Sequence, residues 1–128
     1  MPLENGEENP GKRSMSLVLK PRRLDDVIIV DLSGRITMGE GTLILRDYIQ
    51  KLLTTGDRKF LLNLADVDYI DSSGLGELVG AYTTAKNQGA SLKLLNLTKK
   101  VKDVLQLTKL YTVFDIYDDE ASAIASYK

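Results

Sequence analysis

The sequence contains no cysteine, no histidine and no tryptophan among its 128 residues. The absence of cysteine excludes disulfide bonds and thiolate metal sites, which fits a reducing cytoplasm. Without histidine the chain cannot build a Ser-His-Asp or Cys-His catalytic centre, nor hold a metal through imidazole. We therefore expect neither an enzyme nor a cofactor, although carboxylates alone remain a formal way to bind Mg²⁺ or Ca²⁺.

Neither sign of charge is in excess, and long apolar runs are missing. The chain has 17 Lys and Arg against 18 Asp and Glu, a net charge of -1. This balance argues against direct nucleic-acid binding, which requires a basic surface. No apolar run approaches the ~18 to 20 residues of a membrane span, and the N-terminus has no signal-peptide core. We expect a cytoplasmic protein that is not inserted in a membrane.

Residues 1–16 differ in composition from the rest of the chain. They read MPLENGEENPGKRSMS, a polar stretch with no periodicity. This composition predicts a disordered leader or an extension added to the natural chain, with Met15 as an alternative start. The regular pattern begins at Leu17, and residues 17–128 are long enough for one domain with its own core.

Strand patterns alternate with helix patterns after an opening pair of strands. The basic stretch Pro21-Arg22-Arg23 is the expected turn between the first two strands. Apolar runs predict strands at 17–20, 27–32, 59–64, 91–97 and 110–117. Spacings of three and four predict helices at about 42–53, from the segment after Ile70 to about 87, after an N-cap at Thr98, and after Asp118. The order β-β-α-β-α-β-α-β-α predicts an α/β domain with about four helices and a mixed, largely parallel sheet.

The apolar run at 27–32, which is interrupted only by Asp31, further predicts a strand that is covered on both faces. Beyond it, glycines punctuate residues 34–41, but their spacing fits neither a dinucleotide-binding motif nor a P-loop. Positive φ angles and close packing explain these glycines better than a bound nucleotide does.

The first turn of the third predicted helix contains Lys99, Lys100 and Lys102. Basic residues at this end of a helix oppose the helix dipole. A solvated face explains them, and a docking patch for an acidic partner is the alternative.

Residues 70–76, IDSSGLG, join a predicted strand to a predicted helix. Asp and Ser cap helix starts because their oxygens accept hydrogen bonds from unpaired amides. The segment also lies at the carboxyl end of a strand, where α/β sheets collect ligand and partner sites. A small serine hydrolase is disfavoured because no histidine can act as base. A serine on a rigid turn also suits a phosphoacceptor, so the residues by themselves leave capping and phosphorylation both open.

The run YIDSSGLG at residues 69–76, behind LLNL at 61–64, resembles the anti-sigma-factor antagonists of the STAS domain family. The resemblance extends over about residues 17–127 and includes LSG at 32–34 and LLNL at 94–97. It implies a STAS-like fold and a bacterial regulator that works by partner switching. Many antagonists have an aspartate a few residues beyond the glycine of the LSG turn, whereas this chain has Thr37.

The resemblance implies that Ser72, the first serine after the aspartate, is the phosphoacceptor. Ser73 is the alternative, although we expect it to be the helix cap. The implied kinase is an anti-sigma factor with serine kinase activity, which the unphosphorylated protein binds, so that a sigma factor is released. A PP2C-type phosphatase would reverse the modification. The expected partner-binding residues are Thr37, Asp71, Ser72, Ser73, Gly74, Leu75 and Gly76.

Other STAS-like domains bind nucleotides or lipids, or serve in sensory and transporter assemblies, without a phosphoswitch. The glycines at 34–41 leave weak nucleotide binding open for this chain. A binding or scaffold module of this kind is therefore the alternative function.

Overall fold

The computed structural model describes residues 17–128, so the predicted disordered leader lies outside the described residues. The described chain follows the predicted order β-β-α-β-α-β-α-β-α, and the predicted α/β class is confirmed. The strands are β1 Leu17–Leu24, β2 Val27–Ile36, β3 Lys59–Ile70, β4 Ser91–Leu95 and β5 Ile116–Tyr117. The helices are α1 Glu40–Leu53, α2 Ser72–Asn87, α3 Lys99–Leu107 and α4 Glu120–Ala125.

The five strands form one sheet in the order β1-β2-β3-β4-β5. β1 pairs antiparallel with β2, and the remaining neighbours pair in parallel. The opening hairpin is therefore confirmed, but its predicted turn at 21–23 is wrong. The chain turns after Leu24, where Asp25 adopts a φ of 56° that aspartate tolerates. Pro21 lies within β1 at the sheet edge, where a missing amide donor is tolerated.

The two faces of the sheet carry separate hydrophobic clusters. The larger cluster lies on the side of α1, α2 and α3, and it includes Val30, Leu62 and Leu78. The smaller cluster joins alternate strand residues such as Ile29 to Ile124 of α4. Because both sets are buried, β2 is covered on both faces, as its apolar run at 27–32 predicts.

The last predicted strand, 110–117, is largely wrong. Only Ile116–Tyr117 pairs with β4, whereas the amides of Leu110 and Tyr111 both bond to the carbonyl of Leu105 at the end of α3. Phe114 packs edge-on against Tyr82 of α2 with ring centroids 5.4 Å apart. The aromatic residues of this segment therefore close the core as a loop, and apolar content alone does not distinguish such a loop from a strand.

β3 is longer than predicted, and this length positions the candidate site. It continues six residues past Leu64 to Ile70, which pairs with Ile36 at the end of β2. Both isoleucines are buried, so the carboxyl ends of β2 and β3 are anchored side by side in the core. Within residues 17–128, no helix has both the length and the apolarity needed to cross a bilayer.

Candidate functional site

Asp71 begins α2. Its backbone is extended, with φ -101° and ψ -176°, and one carboxylate oxygen accepts a hydrogen bond from the Gly74 amide at 2.8 Å. Asp71 is therefore the N-cap, and the prediction that Ser73 caps the helix is wrong. Both serines already have helical backbones, whereas a cap needs the extended backbone that Asp71 has.

The second carboxylate oxygen of Asp71 reaches a different element. It accepts from the Met38 amide at 2.9 Å, and the Asp71 amide donates to the Ile36 carbonyl at 3.3 Å. Partial burial acts to raise the pKa of the Asp71 carboxyl, but the amide donors of Met38, Gly74 and Ser73 outweigh it and hold the pKa below its usual value. Asp71 is thus an ionised clamp between α2 and the β2–α1 connection.

The β2–α1 connection is short and well braced. The Thr37 carbonyl accepts from the Thr42 amide at 3.1 Å, and Gly39 precedes α1 with a φ of 92°. The positive φ angles expected of this segment are confirmed at Gly34 and Gly39. The predicted loop itself is shorter than 34–41, because residues 34–36 belong to β2 and α1 begins at Glu40. This confinement brings Thr37 to the same end of the sheet as Asp71.

Gly74 allows the first turn of α2 to lie directly against the end of β2. A Cβ atom built on Gly74 would be 1.9 Å from the Ile36 carbonyl oxygen, a separation that no side chain can occupy. Leu75 follows with 6% exposure. Gly74 and Leu75 therefore position α2 through packing, and neighbouring residues form the exposed surface at this end of the helix.

Ser72 and Ser73 differ in accessibility. Ser72, the first residue of α2, is exposed, whereas Ser73 is half-buried. The Ser72 hydroxyl is consequently presented at the edge of the domain by two rigid neighbours, the Asp71 cap and the tightly packed Gly74. The two serines, which are adjacent in the sequence, therefore differ in their exposure to solvent.

Gly76 and Gly80 lie one turn apart on α2, where Gly76 is exposed and Gly80 is half-buried. No atom of the described chain lies within 4 Å of a Cβ built on Gly76, and Gly80 has only a Glu77 carboxylate oxygen at 3.9 Å. Glycine inside a helix costs roughly 0.5–1 kcal/mol relative to alanine, and the packing of residues 17–128 gives no reason for either glycine. Beside them, a groove of about 240 Å³ separates α1 from α2, next to the ion pair of Arg46 with Glu77 at 2.9 Å.

Met38 is a candidate site residue that sequence reasoning missed. The residue is 74% exposed, while its amide is held by Asp71. The sequence signal was that Met38 is an apolar residue in a glycine-rich segment and does not belong to the apolar pattern of any strand or helix. The backbone of Met38 is held in place while its apolar side chain faces solvent, and methionine is enriched in protein interfaces.

A basic pocket lies at the same end of the sheet. It encloses about 330 Å³ and is lined by Arg35, Asp68, Tyr69, Thr98, Lys99 and Lys100. Thr98 caps α3 as predicted, accepting from the Val101 amide. Within residues 17–128, no three carboxylates lie together in an arrangement that could hold a metal ion.

Comparison with known proteins shows what this chain is similar to. Residues 19–123 match the family model described as STAS domain. The chain is 32% identical over 102 residues to the anti-sigma-B factor antagonist of Bacillus subtilis, a match that covers 80% of this chain and 92% of that protein. It is 24% identical over 110 residues to the anti-sigma F factor antagonist of Paenibacillus polymyxa, covering 86% and 94% of the two chains.

Solved structures share the fold. The anti-sigma factor antagonist SpoIIAA in its unphosphorylated form aligns with a TM-score of 0.72 at 20% identity, covering 86% of this chain and 96% of that one. The phosphorylated form of the Bacillus protein SpoIIAA aligns with a TM-score of 0.67 at 18% identity, covering 87% and 100%. With the family model spanning most of the described residues, the resemblance carried by residues 69–76 is confirmed, and the chain belongs to the STAS domain family.

Proposed function

We propose that this protein is an anti-sigma-factor antagonist, and that phosphorylation of Ser72 controls its binding to an anti-sigma factor. The observation that carries the proposal is the position of Ser72, which is exposed on the first residue of α2 between the Asp71 cap and the close-packed Gly74. The names of the relatives from Bacillus subtilis and Paenibacillus polymyxa support the anti-sigma part of the proposal.

A kinase needs access to the hydroxyl that it modifies, and accessibility favours Ser72 over Ser73. Ser73 is half-buried within the first turn of the helix. A phosphate on Ser72 would lie at the N-terminus of α2, where helix amides favour negative charge. The folded domain therefore tolerates the modification.

The effect of phosphate on binding follows from Asp71. Phosphorylation adds roughly -1.5 to -2 charges at neutral pH, and the lowered pKa of Asp71 keeps a carboxylate charge on the adjacent residue. A partner that covers Ser72 would have to desolvate both negative groups at once. We expect a loss of roughly 2 to 5 kcal/mol of binding free energy, which is about thirty-fold or more in affinity.

The partner-binding face that we propose extends from the β2–α1 connection to the middle of α2. It contains Thr37, Asp71, Ser72, Ser73 and Gly76 from the expected set. We add Met38, whose amide donates to Asp71, and Gly80, one helical turn after Gly76. Glycines that the domain itself does not require are explained if the partner backbone approaches α2 closely. The exposed Met38 side chain supplies an apolar contact beside them.

The implied partners have complementary activities. The anti-sigma factor is the serine kinase, and a PP2C-type phosphatase restores the binding form. The protein itself is the regulated subunit, and its role requires no cofactor. A hydrolase remains disfavoured because the chain has no histidine to act as the base beside Ser72.

The proposal is tested by incubating the protein with its cognate kinase-type anti-sigma factor and ATP, followed by intact-mass spectrometry. We expect one added phosphoryl group, absent from Ser72→Ala and retained in the matched control Ser73→Ala. Affinity of the purified phosphoprotein for the anti-sigma factor is then measured by calorimetry. Equal affinity of the modified and unmodified proteins would exclude the switch.

The nucleotide-binding alternative has weaker support in this structure. It was motivated by the glycines at 34–41, most of which lie in β2 or α1 rather than in an open phosphate loop. Calorimetric titration with GTP and ATP separates the two functions. Saturable heat that is unaffected by Ser72→Ala would favour the binding module.

A further inference from the structure

The basic pocket is built from three separate parts of the chain. Arg35 comes from β2, Tyr69 from the end of β3, and Lys99 and Lys100 from the first turn of α3. The Arg35 guanidinium lies over the Tyr69 ring, 5.6 Å from its centroid. Within residues 17–128, Asp68 is the one carboxylate in the lining, and it lies 3.9 Å from Arg35 with 74% of its side chain exposed. Three cations therefore line a concave surface together with one weakly paired anion.

The first turn of α3 carries positive charge at an unfavourable place. It contains Lys99, Lys100 and Lys102 and no acidic residue, although the positive end of the helix dipole favours acidic side chains. Lys99 pairs with Asp103 at 2.9 Å, but 88% of the Lys99 side chain is exposed, and such pairs contribute little. Ion pairing within residues 17–128 therefore leaves this charge largely uncompensated, and contact with an acidic group of another protein would offset it.

The basic pocket adjoins the proposed partner-binding face. Arg35 pairs with Tyr69, and Ile36 pairs with Ile70, at the carboxyl ends of β2 and β3. Ser72 follows Tyr69 by three residues, which keeps their Cα atoms within about 11 Å of each other. A specific interface buries about 800 Å² on each partner, a patch roughly 30 Å across. A protein that binds with Ser72 at the centre of its interface therefore extends over the pocket.

The exposure of the pocket lining suits a protein segment better than a small ligand. Small-molecule sites enclose most of the ligand surface and fix it with a few convergent polar groups. Here Lys99, Lys100 and Asp68 are exposed, and Tyr69 is 42% exposed. Arginine and tyrosine are enriched in protein interfaces, and a guanidinium binds a carboxylate through two parallel hydrogen bonds. The open pocket thus fits carboxylate side chains that are presented by another protein.

We propose that the basic pocket binds an acidic segment of the anti-sigma factor while the partner-binding face is covered around Ser72. This inference rests on the proposed function and adds a second contact to it. Charges at the rim of an interface mainly speed association and set its salt dependence. The pocket therefore steers the acidic segment into place, whereas the phosphorylation state of Ser72 determines how tightly the complex is held.

The test measures stopped-flow association of the unphosphorylated full-length protein and of the variant Lys99→Gln/Lys100→Gln with the anti-sigma factor. We expect the association rate constant of the variant to be about three- to ten-fold lower at ~50 mM NaCl, with a dissociation rate constant within about two-fold. The difference should vanish at ~0.5 M NaCl, where salt screens the charges. The variant should unfold at no lower a temperature, because it removes two cations from the start of a helix.

The matched control is Lys51→Gln/Lys86→Gln. Both lysines are exposed in the last turns of their helices, α1 and α2. Lys86 lies 14 residues beyond Ser72, about 21 Å along the helix axis. The control has the same net charge as the pocket variant, and its association rate constant should stay within about two-fold of the unmodified value.

Cross-linking identifies the segment that occupies the pocket. A zero-length carbodiimide reagent couples lysine amines directly to carboxylates. In the complex, we expect Lys99 or Lys100 to be joined to an aspartate or glutamate of the anti-sigma factor, as detected by mass spectrometry of the digested product.

Three outcomes would contradict this inference. Association of the pocket variant at the unmodified rate, or cross-links confined to other lysines, would overturn the docking pocket and leave the proposed function standing. An anti-sigma factor that does not bind the unmodified protein at all would overturn both. GTP that binds the unmodified protein but not the pocket variant would make the pocket a nucleotide site instead.

Discussion

Asp71 links the end of β2, the β2–α1 connection and the first turn of α2 through hydrogen bonds of its carboxylate and its amide. Its carboxylate oxygens accept separately from Met38 and Gly74, and its amide donates to Ile36. Because the hydrogen bonds favour the ionised form, folding and deprotonation of this carboxyl support each other. A group with a lowered folded-state pKa stabilises the protein above its unfolded pKa, and this contribution is lost as the pH falls through the folded value.

Asp71→Asn should therefore lower the free energy of unfolding by about 1 to 2 kcal/mol at pH 7, because the amide can replace only one of the two acceptors. The difference from the unmodified protein should shrink below pH ~4, where the carboxyl is increasingly protonated. Urea unfolding at pH 7 and pH 3 measures both effects. Asp47→Asn on α1 is the control, and an equal loss at the two pH values would contradict the clamp.

Gly74 and Gly76 allow the same substitution, glycine to alanine, to be compared at a tightly packed and at an open position of α2. Gly74→Ala places a methyl group against the Ile36 carbonyl and should cost about 2 to 3 kcal/mol of stability. Gly76→Ala meets no described atom and should gain roughly 0.5–1 kcal/mol through helix propensity. Thermal unfolding of the two variants measures the contrast. If the proposed partner face is correct, Gly76→Ala also weakens binding to the anti-sigma factor despite its greater stability.

At the scale of elements, α4 is fixed to the sheet by Tyr127, two residues beyond its end. The Tyr127 hydroxyl donates to the Phe60 carbonyl at 2.7 Å and lies 3.0 Å from the Ser91 carbonyl, which links α4 to β3 and β4. The Lys93 ammonium lies 4.1 Å from the centroid of the ring. Burial raises the pKa of Tyr127 to about 12. The Tyr127 hydroxyl thus helps to hold α4 against the smaller hydrophobic cluster.

Tyr127→Phe should reduce stability by about 1 to 2 kcal/mol, since it leaves the Phe60 carbonyl without its donor. A group with a raised folded-state pKa stabilises the protein fully below its unfolded pKa, near 10, and loses this contribution as the pH rises towards 12. The stability difference between the two proteins should accordingly fall over that range in urea titrations. Tyr69→Phe, with 42% of the residue exposed, is the control. A difference that does not change with pH would contradict the role of the hydroxyl.

At the scale of the whole molecule, two hydrophobic clusters share β2 and β3, and the candidate site lies outside both. Ser72 is exposed, while the residues that support it, Ile36, Ile70 and Leu75, are buried. Charge added at Ser72 therefore changes the surface without entering a core. Under the proposed function, the output of the switch is a change of partner and not a change of fold.

Ser72→Asp should leave the unfolding free energy within about 1 kcal/mol of the unmodified value, as for other surface substitutions. Its affinity for the anti-sigma factor should be reduced in the same direction as that of the phosphoprotein, which we expect to lose about thirty-fold or more. Urea unfolding and calorimetric binding provide the two readouts. Gln106→Glu, which adds one negative charge at an exposed position of α3, is the charge-matched control. A large loss of stability in Ser72→Asp would show instead that charge at this position acts through unfolding.

Local patterns predicted the parts of this fold that depend on local physics. The apolar run at 27–32 predicted a strand buried on both faces, and the spacing of apolar residues predicted the body of α2. Thr98 was predicted as a cap from its side chain and position. Patterns failed where distant segments compete, as at 110–115, where contacts with α2 and α3 hold the backbone in turns.

The sequence by itself determined the α/β class, the order of the elements, the family and the neighbourhood of Ser72, because periodicity and a short motif are properties of contiguous residues. Only the tertiary structure decided which residue caps α2, since the answer depends on the Ile36 carbonyl and the Met38 amide, more than thirty positions away along the chain. It also revealed the exposure of Met38 and the lack of neighbours around Gly76. These properties depend on what does or does not pack against a residue, and sequence spacing carries no record of that.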